Sequence, residues 1–399
     1  MKKNGVQKSK PIHPFAARMA PEIAFRAIQN LPRQAVILDP MAGSGTVLRT
    51  VADLGYDGLG FDIDPLSVLM SKAWTTKVNE KKINQKVEEI TEKALKLKLR
   101  NIRLPWIDND VATKNFISFW FAKKQINELR RLSYIINKEK GTYANVLKIA
   151  LSRLIITKTN GASLAADVSH SRPHRVRSSN SYRVIENYKI SCNKIAKILG
   201  SENQMGNVQV KRGDARRLTT VKNNSIDCIM TSPPYLNALD YMRGHKLALV
   251  WLGYSISELS RIRSSSVGAE KAPDSDQNIK LAKSITKNIK KLSDLPERKL
   301  KMVYRYALDM HSLMKESNRV LKRGCEATFV IGNSCIEGIH ISNSSIVTSA
   351  AKKFQFEVVS HTRRKIPDTK RYLPPPSAKI KSDMSKRMRT ESVITFKKK

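Results

Sequence analysis

A short apolar run that ends in a hydroxyl, two prolines and an aromatic ring lies past the middle of the chain. It is Asp227 to Tyr235, "DCIMTSPPY". A strand of this kind would present Ser232 and the carbonyl of Pro233 at its end. Proline lacks an N–H and fixes φ, so two prolines in succession hold the backbone carbonyls of the loop in one direction. Fixed acceptors suit a group that carries N–H bonds and must be oriented for reaction.

The chemistry that this loop predicts is reaction at the exocyclic amino nitrogen of a base. That nitrogen is a poor nucleophile because its lone pair is delocalised, and acceptors that hold both N–H bonds favour a more pyramidal nitrogen. Tyr235 would offer a face for a base extruded from a duplex. The candidate catalytic residues are Ser232, Pro233, Pro234 and Tyr235. The alternative is an ordinary strand that ends in a Pro-Pro turn.

Residues 35–62 carry the signals of an adenosine-type site. An apolar strand ends at Asp39, a loop with Gly43 and Gly45 opens a helix near Thr46, and a second strand ends at Asp62. This is a βαβ unit, whose glycine loop and helix N-terminus can approach a ligand. We expect Asp62 to accept hydrogen bonds from ribose hydroxyls. The alternative is a plain strand-to-helix turn.

The ligand that this site predicts is S-adenosylmethionine. The loop lacks the third glycine of G-x-G-x-x-G and a Walker lysine, which favours a small adenosine ligand over a phosphate-rich dinucleotide. Asp39 would suit the cationic methionyl end. Asp214, after the third strand, could accept from the adenine amino group.

The patterns along the 399 residues predict an α/β fold, a doubly wound, seven-stranded, mostly parallel sheet with a large helical insertion. The last two strands should form an antiparallel hairpin at one edge. We divide the chain into an N-terminal part of the core with the cofactor motifs (1–74), a helical insertion that is a candidate for target recognition (75–205), the core with the catalytic motif (206–254), a variable Ser/Lys-rich segment (255–300) and the C-terminal part of the core (301–399).

Helical periodicity in the insertion predicts helices at about 79–98, 114–137, 143–158 and 182–199. The second counts Phe116, Phe119 and Trp120 among its apolar residues. Farther along, we expect Tyr241 to pack in the core or against a partner and Asp309 to lie on an ordinary helix surface.

The charge of the chain is strongly basic. Lys and Arg total 73 against 34 Asp and Glu, a formal net charge of +39, which indicates a polyanionic partner. Selection for solubility alone is the alternative. The candidate nucleic-acid-binding residues are Arg172, Arg175, Arg177, Arg363, Arg364, Lys370 and Arg371.

The remaining composition narrows the class of protein. The four cysteines show no metal-ligand spacing, so no metal is expected. The chain has no uninterrupted apolar run of about 18 residues, as a membrane span would need. We expect a cytoplasmic, nucleoid-associated protein.

The motifs "DPMAGSGT", "GFDIDP", "GDAR" and "TSPPY" resemble, in order, those of class I S-adenosylmethionine-dependent DNA methyltransferases that act on exocyclic amino nitrogens. "HPFAARMAPEIAFRAI" is similar to the segment that helps hold the cofactor in this group, and "NRVLKRGCEATFVIGNS" and "RTESVITFKKK" resemble its closing strands. The cofactor-binding residues implied are His13, Pro14, Phe15, Asp39, Pro40, Met41, Ala42, Gly43, Gly45, Thr46, Asp62, Ile63, Asp214 and Ala215.

The resemblance implies double-stranded DNA as partner, base flipping, and restriction-modification with a cognate restriction endonuclease. A serine such as Ser232 at the head of the tetrapeptide is associated with N4-methylcytosine, and Asp or Asn with N6-methyladenine, so cytosine N4 is favoured. Transfer to cytosine C5 needs a cysteine nucleophile, usually after a proline, and no Pro-Cys occurs. The family usually places its target-recognition region between the third and fourth motif strands or after the catalytic fold. Here the third and fourth strands are close together in the sequence, so recognition could fall to the insertion, to residues 255–300 or to both.

Three other functions stay open. One is methylation of an RNA amino group, such as guanine N2 in tRNA. Another is a catalytically silent nucleic-acid-binding protein, which failure to bind S-adenosylmethionine would favour. The third is methylation of a protein glutamine through a similar loop, which suits a charge of +39 poorly.

Overall fold

Apolar runs bounded by turn residues form the strands at the centre of the structure. The computed structural model describes residues 9–15, 18–157, 160–166, 173–201, 205–236, 240–268, 275–366 and 390–399. The strands are β1 (Val36–Asp39), β2 (Asp57–Asp62), β3 (Ala165–Ala166), β4 (His174–Arg175), β5 (Val208–Arg212), β6 (Ile226–Thr231), β7 (Leu321–Gly332), β8 (Ser334–Ile336), β9 (Ile339–Ile341), β10 (Phe356–Lys365) and β11 (Thr390–Lys398).

Seven strands form one sheet in the order β10-β11-β7-β6-β1-β2-β5. β1 is parallel to both of its neighbours, with Leu38 opposite Leu59 and Ile229. β11 is antiparallel to β7 and to β10, with Val393 opposite Val330. The central strands β1 and β6 are largely buried, as expected of parallel strands covered on both faces. The predicted fold class and the antiparallel edge pair are confirmed.

Helices surround this sheet, and several begin at side chains that cap their first N–H groups. Asp64, Asn79 and Asp110 each accept such a hydrogen bond. Among the described residues, no helix is both long and apolar enough to cross a membrane. The helices are α1 (Pro21–Ile28), α2 (Thr46–Leu54), α3 (Pro65–Trp74), α4 (Glu80–Lys96), α5 (Pro105–Asp108), α6 (Val111–Trp120), α7 (Lys123–Ile136), α8 (Ala144–Ser152), α9 (Val184–Gly200), α10 (Tyr241–Leu249), α11 (Ile256–Ser265), α12 (Asp276–Thr286), α13 (Glu297–Val320) and α14 (Asn343–Ala351).

The insertion between β2 and β5 consists mainly of α4 to α9, which share one hydrophobic core. The helix predicted at 114–137 is instead two helices, α6 and α7. The chain is extended at Phe121, whose buried ring packs edge-on to Trp251 at 5.2 Å between centroids. Phe119, one of the apolar residues of the predicted helix, is 49% exposed.

The weakly patterned segment 255–300 also contains two regular helices, α11 and α12. Ser255 accepts a hydrogen bond from the backbone N–H of Glu258, and Ser275 accepts one from that of Asn278. A serine followed three residues later by glutamate is a capping-box signal, so Ser255 and Glu258 could have located the start of α11 from the sequence.

Candidate active site

A cavity of about 700 Å³ opens at the carboxyl ends of β1, β2, β5 and β6. This is where ligands bind in doubly wound sheets. All four predicted catalytic residues and most of the predicted cofactor residues line it. These residues are Phe15, Asp39, Pro40, Met41, Ala42, Gly43, Thr46, Asp62, Ile63, Asp214, Ala215, Ser232, Pro233, Pro234 and Tyr235.

The glycine loop at this cavity depends on two left-handed glycines, Gly43 with φ 49° and Gly45 with φ 86°. A Cβ on Gly43 would lie 3.3 Å from the ring of Phe15, and one on Gly45 would lie 2.8 Å from the Cα of Ser71. Gly43 therefore lets an aromatic ring lie against the loop. Gly45 does not line the cavity; it allows the loop to pack against α3.

Asp39, at the end of β1, is 2% exposed. Its Oδ1 accepts hydrogen bonds from the Met41 N–H at 3.1 Å and from the Thr231 hydroxyl at 2.8 Å. Burial raises the pKa of Asp39 from 3.8 to about 7, although both hydrogen bonds oppose the shift. The carboxylate form would be favoured by a cationic ligand.

Asp62, at the end of β2, holds the glycine loop. Its Oδ2 accepts from the Gly43 N–H at 2.8 Å and its Oδ1 from the Asp64 N–H at 2.9 Å. Burial raises the pKa of Asp62 to about 7, and the charge of Asp64 adds to the rise. Each carboxylate oxygen has further lone pairs with which to accept hydrogen bonds from ligand hydroxyls.

These residues fit S-adenosylmethionine. Asp62 offers acceptors for a diol, and Asp39 offers a carboxyl group that burial disfavours as an anion in the absence of a cation. The glycine loop and the start of α2 bring backbone close to the same space. A cationic ligand that also carries hydroxyl donors matches this set of groups.

Asp214 lines the cavity, and Arg216 already binds it. The Arg216 guanidinium donates to Asp214 Oδ1 through Nε at 2.9 Å and to Oδ2 through Nη2 at 2.7 Å. An adenine amino group would have to share these oxygens. Arg216 also donates to Asp309 Oδ1 at 2.7 Å. The expectation that Asp309 is an ordinary surface residue is wrong, because it is 2% exposed, forms an ion pair with Arg305 and accepts a hydrogen bond from the Gly268 N–H.

An aromatic pair borders the cavity from the other side. The ring of Phe15 stacks on that of Tyr241, with centroids 5.0 Å apart and planes at 11°. His245, one turn farther along α10, lies 6.1 Å from Tyr241 and hydrogen-bonds through Nδ1 to buried Asp64. We expected Tyr241 in the core or against a partner, whereas it lines the cavity. The i,i+4 spacing of Tyr241 and His245 indicates that both side chains lie on one face of a helix, and this was the signal in the sequence.

The predicted catalytic loop is fixed to the neighbouring strand. The Ser232 hydroxyl donates to the Val330 carbonyl at 3.0 Å, so towards other groups its oxygen can act only as an acceptor. Burial raises the pKa of Tyr235, the charge of Glu391 adds to the rise, and a hydrogen bond with Ser232 opposes it. The loop therefore presents a neutral phenol and a serine acceptor.

His13 and Pro14 do not line the main cavity. They border a much smaller one of about 30 Å³ next to it. His13 Nε2 lies 2.7 Å from the Ser152 hydroxyl of α8, and the His13 carbonyl accepts from Arg18 at 2.6 Å. Their position indicates that this segment joins the insertion to the cavity wall through Arg18, which lines the cavity.

The predicted nucleic-acid-binding residues are spread over two regions. Arg175 and Arg177 lie on or beside β4 in the insertion, and Arg177 donates to the side chain of Asn160 at 2.9 Å. Arg363 and Arg364 lie on the edge strand β10, where Arg364 pairs with Glu391 at 2.7 Å. Arg172, Lys370 and Arg371 lie outside the described residues. Within the part of the chain that the structure describes, no cluster of three His, Cys, Asp or Glu side chains could hold a metal.

The strand order, with the glycine loop and the carboxyl groups at its edge, defines the class I methyltransferase fold. No protein-family model matches the chain. Full-length comparison finds bacterial relatives that carry the name Type II methyltransferase. M.MvaI from Kocuria varians is 23% identical over 89% of this chain and 84% of its own length. M.AvaI from Nostoc sp. strain PCC 7120 is 24% identical over 81% and 73%.

A third relative, M.BsoBI from Geobacillus stearothermophilus, is 22% identical over 59% of this chain and 50% of its own. The relatives confirm the resemblance stated from the motifs, and with it S-adenosylmethionine as the cofactor. Among solved structures, the rRNA methyltransferase AviRa from Streptomyces viridochromogenes covers 97% of this chain and 88% of its own at 10% identity, with a TM-score of 0.33. A score this low adds nothing to the strand order.

Proposed function

We propose that this chain is an S-adenosylmethionine-dependent DNA methyltransferase that acts on an exocyclic amino nitrogen, with cytosine N4 favoured over adenine N6. The observation that carries the proposal is a single cavity lined by Asp39 and Asp62 and also by the loop from Ser232 to Tyr235. DNA as substrate is supported by the Type II methyltransferase relatives and by the net charge of +39.

The acceptor geometry of the loop supports an amino group as the target. Ser232 lines the cavity, and because its hydroxyl donates to Val330, its oxygen can act only as an acceptor towards a ligand. Pro233 has no N–H, so its backbone offers only a carbonyl. These two oxygens would hold the N–H bonds of the amino group and localise its lone pair. Tyr235 would pack against the plane of the flipped base.

The cofactor would be held by Asp62, Asp39 and the glycine loop, and when bound it supplies an electrophilic methyl group. The target nitrogen must lose one of its two protons for the product to be neutral. Ser232 Oγ and the Pro233 carbonyl would accept hydrogen bonds from the amino group, and the released proton would pass to solvent, because neither oxygen is basic enough to keep it. Orientation and electrostatics would therefore provide most of the rate enhancement.

The choice of cytosine rests on Ser232, since the related group associates serine at this position with N4-methylcytosine. A cognate endonuclease stays a prediction. The test is incubation with S-adenosylmethionine and either unmethylated DNA or unmodified tRNA, followed by mass spectrometry of the nucleosides. N4-methylcytosine from DNA is expected. N6-methyladenine would overturn cytosine as the target base, and product from tRNA alone would overturn DNA as the substrate.

Ser232→Ala should lower kcat about 100-fold or more while cofactor affinity stays within about twofold. Ser264→Ala is the matched control, because Ser264 also lines the cavity but its hydroxyl donates locally to the Arg261 carbonyl. Equal loss in both variants would remove Ser232 from the catalytic role.

A further inference from the structure

A partly exposed aromatic ridge lies on α6 in the helical insertion. We define it as Phe116, Phe119 and Trp120. Phe119 is 49% exposed and its ring meets that of Trp120 edge-on at 5.0 Å, while Phe116 lies 6.2 Å from Trp120. Val176, beside it, is 56% exposed. Grouped exposed apolar side chains of this kind mark an interaction surface.

Two cations from other elements lie over the ridge. The Arg175 guanidinium of β4 is 4.9 Å from the Phe119 ring centroid, and the Lys246 ammonium of α10 is 5.1 Å from that of Phe116. Aromatic faces interleaved with cations are the pattern of nucleic-acid-binding surfaces, where bases stack and phosphates pair.

The cation on β4 is held in place by the end of α6. The Leu164 N–H donates to the Trp120 carbonyl at 2.8 Å, and the Val176 N–H donates to the Leu164 carbonyl at 3.0 Å. The backbone beside Arg175 is thereby fixed to the ridge. This positioning reduces the ordering cost of binding there.

The ridge is joined to the cavity by two helices. α10 lines the cavity with Tyr241 and Arg243 and carries Lys246 to the ridge. α11 lines the cavity with Arg263, and at its other end the Ile256 N–H donates to the Thr113 hydroxyl of α6 at 2.8 Å. A duplex with one base in the cavity would therefore pass close to α6.

We propose that the aromatic ridge, with Arg175 and Lys246, is a DNA-contact surface that takes the duplex flanking the flipped base. This rests on the function proposed above and assigns a target-contact role to the insertion. The net charge of the chain favours DNA as the molecule that binds this surface. A second copy of this chain would bring another net charge of +39 to the same surface, whereas DNA supplies phosphates for the cations and apolar sugar and base edges for the rings.

The test measures binding of a short, mixed-sequence, fluorescent DNA duplex by anisotropy over a series of salt concentrations. Phe119→Ala should weaken binding about tenfold at every salt concentration, because it removes apolar contact area and no charge. Arg175→Gln should lower the slope of log affinity against log salt by about one, because it removes one phosphate contact. Leu95→Ala, which truncates a 68% exposed side chain on α4, is the matched control and should bind normally.

Cofactor affinity and melting temperature should be the same in all variants, which separates surface effects from misfolding. If the unmodified protein methylates and binds DNA but both variants bind equally well, the contact surface is overturned and the proposed function stands. If the unmodified protein neither binds nor methylates DNA, the contact surface and the proposed function are both overturned. If the variants lose affinity for tRNA and not for duplex DNA, the surface belongs to RNA and the proposal is overturned.

Discussion

The Thr231 hydroxyl donates a 2.8 Å hydrogen bond to Asp39 Oδ1, from the end of β6 to the end of β1. Both residues are buried, with Thr231 at 0% exposure. Thr231 immediately precedes Ser232, so this bond links the carboxyl group of the proposed cofactor site to the base of the proposed catalytic loop. The two halves of the proposed reaction share one rigid sheet edge.

Thr231→Val tests this link. The change keeps the shape of the side chain and removes the donor, leaving Asp39 with one fewer hydrogen bond in a buried position. We expect cofactor affinity to fall about fivefold to tenfold, equivalent to about 1 kcal/mol, as measured by calorimetric titration.

The control is Thr328→Val in the same sheet. The Thr328 hydroxyl is buried and lies 3.0 Å from that of Thr395, away from the cavity lining. It should lose some stability and bind the cofactor normally. Equal losses of affinity in both variants would show that the effect is a general one on the sheet.

Asp39→Asn should stabilise the ligand-free protein at high pH. Both hydrogen bonds to Asp39 end on Oδ1, so an asparagine oxygen can accept them. Burial raises the pKa of Asp39 from 3.8 to about 7, which means that the folded state disfavours its charge. The resulting destabilisation is full above about pH 7 and disappears as the pH falls towards 4.

The gain in the free energy of unfolding should therefore be about 2 to 4 kcal/mol at pH 8 and nearly zero at pH 4. Denaturant unfolding of both proteins over this range measures it. Affinity for the cofactor should fall in the same variant, since the anion is lost. Identical stabilities at pH 8 would mean that the pKa of Asp39 is close to its ordinary value.

The parts of the site that the sequence could predict are local. Asp62 ends β2, Gly43 and Ser232 follow β1 and β6 within a few residues, and the ends of parallel strands meet at one edge. Asp309 could not be predicted, because its partner Arg216 is 93 residues away and the contact depends on how α13 packs. A hydrophobic pattern shows the periodicity of the chain, whereas the burial of a side chain depends on the element that packs against it.

The same limit applies to the prediction of the helical insertion. Periodicity identified its helices, but not the break at Phe121, where packing against Trp251 replaces another helical turn. Phe119 has the residue type and spacing of a core position and is nonetheless exposed. A hydrophobic pattern cannot distinguish a ring that faces the core from a ring that faces a partner.

Asp309→Asn should destabilise the fold by about 2 to 4 kcal/mol, because it leaves the Arg216 and Arg305 guanidinium groups without this buried carboxylate. Thermal unfolding measures the loss. Glu297→Gln is the control on the same helix, since the exposed pair of Glu297 with Lys301 should leave the midpoint unchanged. A midpoint for Asp309→Asn equal to that of the control would contradict a structural role for the buried ion pair.

Gly45→Ala tests the packing role of Gly45 in the glycine loop. Gly45 has φ 86°, and a Cβ there would meet the Ser71 backbone at 2.8 Å. Gly141 has φ 87° with nothing within 4 Å, so Gly141→Ala isolates the backbone cost, about 1 to 2 kcal/mol. We expect Gly45→Ala to cost clearly more, because α3 must move away from the loop and carry Ser71 with it. Denaturant unfolding of both variants measures the difference, and equal costs would show that the contact with Ser71 relaxes without loss.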